Sequence, residues 1–146
     1  MNILKILTPR RSLGNIGEKH AVRFLRKKGY RILETNYVGK WGEIDIIARK
    51  KDLIAFIEVK TRSAESANAH EARPAAAVNR EKQRRLIRIA NEYARRTHKP
   101  DGILMRMDII EIITQKNRKG EPRVKSTVHI ENAFDMNTAF SLPRSK

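Results

Sequence analysis

The chain alternates most tellingly between two short apolar runs, Ile44 to Ala48 and Leu53 to Val59, and the polar break Arg49 to Asp52 that separates them. Runs of this length around a polar turn predict a β-hairpin. Each run carries an acid where a strand ordinarily has another aliphatic: Asp45 in the first, Glu58 in the second. Side chains alternate faces along a strand, so Glu58, Lys60, Ile54 and Phe56 share one face. A two-residue turn at Lys51 and Asp52 sets Asp45 directly opposite Glu58, and a four-residue loop from Lys50 to Leu53 gives the same register. A three-residue loop shifts the register by one and puts the acids on opposite faces.

Ahead of the hairpin, Ser12 to Lys28 has a helical period with Ala21, Val22 and Leu25 as its apolar stripe and Gly29 as its stop. Glu18 lies three, four and seven residues before that stripe and so falls on the inward face. Tyr30 to Val38 predicts a strand, with Gly39 to Gly42 as the turn into the hairpin. After it, Ser63 to Asn79 is small and polar without a period, and predicts a mobile loop. A second helix is expected from Arg80 to Thr97, with Leu86, Ile87, Ala90, Tyr93 and Ala94 on one face and Asn79 as its N-cap. Ile103 to Ile113 suits a strand buried on both faces. Asn117 to Pro122 turns the chain into a last strand, Arg123 to Ile130. The order αβββαββ places helices on both faces of a mixed β-sheet in one α/β domain, residues 12–132, between a flexible N-terminus (1–11) and a loosely ordered tail (133–146).

Charge changes this picture most. Thirty-two Lys and Arg against 16 Asp and Glu leave +16 on 146 residues, which points to a polyanion partner, with nucleic acid first. No segment approaches the roughly 20 apolar residues of a spanning helix, so a membrane partner is not expected. The start, MNILKILTPRRS, lacks a small-residue cleavage site and does not read as a signal peptide. Without cysteine there is neither a disulfide framework nor a thiolate metal site. A cytoplasmic location follows by default.

Against that basic background the inward acids acquire a chemical meaning. Carboxylates gathered in a half-dry site repel, and either one takes up a proton or a cation neutralises them. Mg²⁺ or Mn²⁺ prefers oxygen ligands, and Asp45, Glu58 and the main-chain carbonyl of Val59 make a plausible set. Lys60 can then position a water or stabilise developing charge in phosphodiester hydrolysis, with Glu18 in a supporting place. Glu58 and Lys60 could instead pair across strands on a solvated face. For the nucleic acid itself, Arg49, Lys50 and Lys51 at the hairpin tip and Arg62 beyond the acids are candidate backbone contacts, as are Lys82, Gln83 and Arg85 at the start of the second helix. Trp41 and Tyr37 flank the turn before the hairpin and either stack on an unpaired base or pack on the sheet, packing being the simpler reading. The histidines at 20, 70, 98 and 129 have no metal-ligand spacing, and Arg106 with Asp108 reads as a structural ion pair.

The set Gly17 and Glu18, Gly42 to Asp45, Glu58 to Lys60 with Arg62, and Lys82 with Arg85 and Leu86 resembles the YraN family of uncharacterised bacterial proteins, over roughly Gly14 to Asp108. That family is similar to the restriction-endonuclease superfamily, and its order of Glu, Asp and Glu-x-Lys to the archaeal Holliday junction resolvases. The resemblance implies a restriction-endonuclease-like core and a metal-dependent nuclease site acting on DNA. In it Asp45 and Glu58 would be metal ligands, Lys60 the catalytic lysine and Glu18 the acid of the first helix. Two departures stand out: Ile44 replaces the proline usual before the aspartate, and Val38 stands where a basic residue is expected. With no separate recognition domain, recognition of branched or repair intermediates by shape is expected, with a homodimer as one arrangement. The alternative is a nucleic-acid-binding module, for DNA or RNA, that keeps the fold and cuts nothing.

Overall fold

Residues 12–65 and 78–136 are described by a computed structural model, the side chains of the first helix from Ile16 onward. Along the chain these residues form α1 (Ser12–Lys27), β1 (Arg31–Gly39), β2 (Gly42–Lys50), β3 (Leu53–Ser63), α2 (Arg80–Arg96), β4 (Leu104–Lys116) and β5 (Pro122–Phe134). The order is the αβββαββ expected from the periodicity. The sheet order is β1-β2-β3-β4-β5. Only β3 and β4 run parallel, because α2 supplies the crossover that a parallel pair requires.

Two apolar clusters sandwich this sheet. On one face Ile47, Phe56, Met107 and Ile109 pack against Leu86, Ile87, Ile89, Ala90 and Tyr93 of α2. On the other, Ile46, Ala48, Ile57, Ile110 and Ile112 pack against Ala21 and Leu25 of α1. β4 is buried on both faces, its consecutive residues Met107 to Ile110 all lying inside. The mixed sheet between helices is the α/β, restriction-endonuclease-like core that the sequence resemblance implied.

Chain ends of the elements follow local chemistry. Gly29 adopts φ 93° after α1, a left-handed closing position that other residues enter at a penalty. Asn79 caps α2, its side chain accepting from the Lys82 main-chain N–H at 2.9 Å. β3 extends past Val59 to Ser63, taking the start of the expected loop into the sheet, and Val78 at the loop's far end is buried. β5 runs beyond Ile130 to Phe134, which is buried in the core rather than part of a tail. The remainder of the loop and tail, and the expected flexible N-terminus, lie outside the described residues.

Gly17 sets how closely α1 approaches the sheet. It is buried, and a Cβ there would run into the Thr61 side chain of β3. Alanine in a helix interior gains up to about 1 kcal/mol over glycine, whereas overfilling a packed contact costs ~1–3 kcal/mol. Gly17→Ala should therefore lose roughly 1 kcal/mol net and lift α1, measurable as a lower urea midpoint. An unchanged or higher midpoint would mean that the helix does not depend on this close approach.

Candidate functional site

The acids meet where the sheet forks. β2 and β3 pair from Lys50 opposite Leu53 to Ile46 opposite Ile57. Lys51 and Asp52 are thus a two-residue turn, with Lys51 at φ 53°. Continued by one residue, this register sets Asp45 opposite Glu58. There the ladder gives way, and the Asp45 carboxylate accepts the Val59 main-chain N–H at 2.8 Å. The pleat of β2 is also interrupted: Ile44 packs under α2 while Ile46, two residues on, packs under α1. Across β1, Asn36 at φ 51° lies between the partners of Ile44 and Ile46. β3 meanwhile continues along β4 to Ser63, so Glu58, Lys60 and Thr61 project from a strand whose β2-side edge has been opened.

The acids lie within one another's electrostatic reach. The Asp45 carboxyl is pushed up from 3.8 to about 7 by loss of solvent and then by the charge of Glu58, with smaller contributions from Glu18 and Glu43; the Val59 N–H opposes the rise. Glu58 is held by two lysines, Lys82 Nζ at 2.7 Å and Lys60 Nζ at 3.5 Å from Oε1. Burial pulls Lys60 below the usual lysine value; Glu58 offsets this only in part, and Lys82 pushes it further down. Burial acts on Lys82 in the same direction, but the hydrogen bond and charge of Glu58 outweigh it and raise that ammonium. α1 delivers Glu18 through the Gly17–Thr61 contact, α2 delivers Lys82 from its capped first turn, and the hairpin supplies the rest.

Residues 17–112 match the sequence profile of the uncharacterised protein family UPF0102, a span that includes Glu18, Asp45, Glu58, Lys60 and Lys82. The chain belongs to that family. A UPF0102 protein of Alkaliphilus metalliredigens is 46% identical over 128 residues, covering 85% of this chain and 98% of the relative. One of Chlorobium phaeobacteroides is 45% identical over 122 residues, covering 84% and 93%. One of Dictyoglomus thermophilum is 46% identical over 109 residues, covering 75% and 88%. The YraN resemblance is thereby established. Family membership carries no activity with it, so function rests on the site.

In this UPF0102 chain the other candidate residues are spread more widely than the acids. Lys82 stands beside the acids, paired with Glu58 at 2.7 Å. Gln83 ties its amide to the Val78 carbonyl at 2.8 Å, steadying the entry to α2. Arg85 is exposed on α2, and Arg62 is half-buried near the end of β3. The hairpin tip lies five or six residues along β2 from Asp45, roughly 17–20 Å away at the rise of a strand. There Arg49 Nε donates to the Lys51 carbonyl at 3.1 Å and Lys50 Nζ sits 5.4 Å from the centre of the Tyr30 ring. Tyr37 packs edge-on against Tyr93 with ring centres 5.2 Å apart, as expected. Trp41 does not pack in this way: it is 42% exposed and belongs to neither core cluster. Among the described residues, no helix is long and apolar enough to cross a membrane.

A second polar group, away from the fork, is structural. Asp108 accepts from Arg106 Nε and Nη2, both at 2.7 Å, from the Asn132 N–H at 3.0 Å, and lies 2.8 Å from His129 Nε2. Lys28 Nζ is 2.7 Å from His129 Nδ1; as an ammonium only donates, Nδ1 accepts and Nε2–H points to Asp108. The ion pair was legible from Arg106 and Asp108 on one strand face. His129 was not, because its part depends on the β4–β5 register.

Proposed function

We propose that this chain is a metal-dependent nuclease hydrolysing phosphodiester bonds in DNA, directed by the shape of branched or repair intermediates. The observation that carries this reading is the meeting of Asp45 and Glu58 at the sheet fork with Lys60 on the same strand. Among the described residues no group of three or more His, Cys, Asp or Glu side chains could hold an ion. The donor set is instead two carboxylates with the Val59 carbonyl, completed by water and a substrate phosphate, which is the mixture of hard oxygen donors Mg²⁺ or Mn²⁺ uses. Such an ion, when bound, would polarise a phosphoryl oxygen and acidify a water. Asp45 and Glu58 hold the site, and Glu18 adds negative charge from α1. Lys60, only half-exposed and with its proton loosened by burial, orients the attacking water and meets the charge that develops on phosphate. The excess of Lys and Arg supplies the phosphate-binding surface.

Lys82 has a part that spacing alone did not suggest. Its ammonium neutralises Glu58 in the free protein, so a divalent ion must displace it. Lys82→Ala should bind Mn²⁺ severalfold more tightly in calorimetric titration, given the strength of charge-assisted hydrogen bonds. An unchanged Kd would show that the lysine and the ion do not compete.

The lysine pairs on Glu58 also favour a second reading, in which the fold binds nucleic acid without cutting it. Incubation with branched, flapped and linear DNA in Mg²⁺ or Mn²⁺ separates the two. Cleavage by the wild-type chain should vanish in Asp45→Asn and Lys60→Ala, while salt-sensitive DNA binding persists in both. Cleavage surviving both substitutions would remove the catalytic assignment, and binding without cleavage by any form would leave the binding module.

A further inference from the structure

The turn between β1 and β2 is fastened to α2 and holds the indole of Trp41 outward. The Lys40 main-chain N–H donates to the Glu92 carboxylate, with Oε2 at 3.2 Å and Oε1 at 3.3 Å. A Cβ at Gly39 would stand 3.2 Å from Ile89, so this glycine lets the turn lie close against the helix, while Gly42 supplies the φ of 136° that the turn requires. Trp41, between them, has the Arg88 guanidinium carbon 4.7 Å and Lys40 Nζ 5.6 Å from its ring centre.

Two hollows meet at this indole. One, of about 840 Å³, runs along α2 and is lined by Trp41, Arg88, Arg95 and Lys99 among others. The other, of about 60 Å³, joins Trp41 to Glu43, Lys82 and Arg85, and Lys82 in turn holds Glu58 at 2.7 Å. Trp41 therefore stands between a basic groove and the acids. The lining of the larger hollow sets Arg88, Arg95 and Lys99 against one acid, Asp101, so the groove is complementary to a polyanion. Polyanions in general need no exposed indole. An aromatic platform in a cationic groove suits bases that are free to leave their stack, each stacking on the ring with modest dependence on sequence.

We infer that Trp41 and the groove beside α2 seat an unpaired nucleic-acid strand, one base stacked on the indole and its phosphates on Arg88 and Arg95, with the strand leading past Lys82 to the acids. This rests on the nuclease reading for where the strand leads, and it narrows the substrate to DNA with a single-stranded flap, gap or branch. Arg88, now over the ring, moves to a phosphate as the base arrives.

Trp41 is the only tryptophan in the chain, so its fluorescence reports on the groove directly. The full-length protein is titrated in EDTA with a short oligo(dT), a blunt duplex hairpin and heparin. Oligo(dT) should quench the emission by roughly half or more, as stacked bases do, and heparin should quench far less while competing for binding. By anisotropy of labelled DNA, Trp41→Ala should weaken oligo(dT) binding about tenfold and the blunt duplex less than about twofold, with Trp41→Phe restoring most of the loss. Oligo(dT) bound with unchanged emission, equal quenching by heparin, or equal weakening of duplex and single strand would overturn the inference. Asp45→Asn should keep the full quenching. A failure of cleavage in every form would thus count against the nuclease reading and leave the strand-binding result standing.

Discussion

Asp45→Asn is expected to make the metal-free protein more stable at pH 8 while abolishing cleavage. In the fold the carboxyl is pushed up to about 7, against 3.8 for the free side chain, by burial and by Glu58. At about 1.36 kcal/mol per tenfold change in acidity, the difference corresponds to at most ~4 kcal/mol, and relaxation of the neighbouring carboxylate reduces this to a few. Below about pH 4 the carboxyl is protonated in both folded and unfolded chains and there is no penalty. Between about 4 and 7 the unfolded chain ionises first, so stability falls as pH rises, and above 7 the deficit is constant. Asparagine removes the charge and still offers an oxygen to the Val59 N–H. Urea midpoints at pH 5 and pH 8 test this: the stabilisation should be ~2 kcal/mol or more at pH 8 and roughly a third of that at pH 5. A variant less stable than wild type at pH 8 would show that Asp45 is not held under strain by its neighbours. On the nuclease reading, removing the proposed ligand Asp45 should cost at least about a hundredfold in cleavage rate.

Asp108→Ala should do the opposite. Asp108 is 1% exposed and is the common acceptor of Arg106, His129 and the Asn132 N–H. Burial alone would raise its pKa, but the hydrogen bonds from His129, Arg106 and Asn132 and the charge of Arg106 hold it below the usual carboxylate value. Its contribution is thus present above about pH 4 and is lost only as pH falls through the depressed value. Alanine leaves the half-buried Arg106 only the Tyr30 hydroxyl at 2.6 Å and the exposed Glu131 carboxylate at 3.8 Å, and breaking one side of a buried pair costs ~3–5 kcal/mol. Since domains of this size are stable by only about 5–15 kcal/mol, the thermal midpoint should fall by roughly 10 °C or more, or the protein should fail to accumulate. A shift of under a degree or two would mean that the network contributes no net stability. The two acids therefore act on stability in opposite senses and in separate pH windows.

How much of this the sequence revealed depends on how local each feature is. The hairpin, both helices and the buried strand follow from period and turn residues, so their order was legible. The register that brings Asp45 towards Glu58 was legible too, once a two-residue turn was assumed, because register follows from loop length. The fork was not: it depends on Val59 N–H leaving the ladder for a side chain and on the pleat break opposite Asn36. Lys82 is basic on a basic helix, and nothing local distinguishes it from Arg84 or Arg85; the tertiary packing of α2 on the sheet puts it on Glu58. Trp41 looked like a packing residue because aromatic rings usually are. Its exposure goes with the hold that Glu92, 52 residues from Lys40 along the chain, keeps on the turn. The ends of β3 and β5 ran past their apolar patterns because ladder partners on β4 continue where the hydrophobic signal fades.

The site stands or falls on whether Asp45 and Glu58 share a divalent ion. Calorimetric titration of Mn²⁺ into the wild-type protein, Asp45→Asn and Glu58→Gln near pH 7 measures this directly, in two buffers of different ionisation enthalpy. The wild-type protein should bind the ion and release part of a proton as Asp45 ionises, whereas each variant should lose binding, at least about tenfold. Wild-type protein that takes up no Mn²⁺, or variants that bind it as tightly as wild type, would contradict the assignment of the fork as a metal-dependent site.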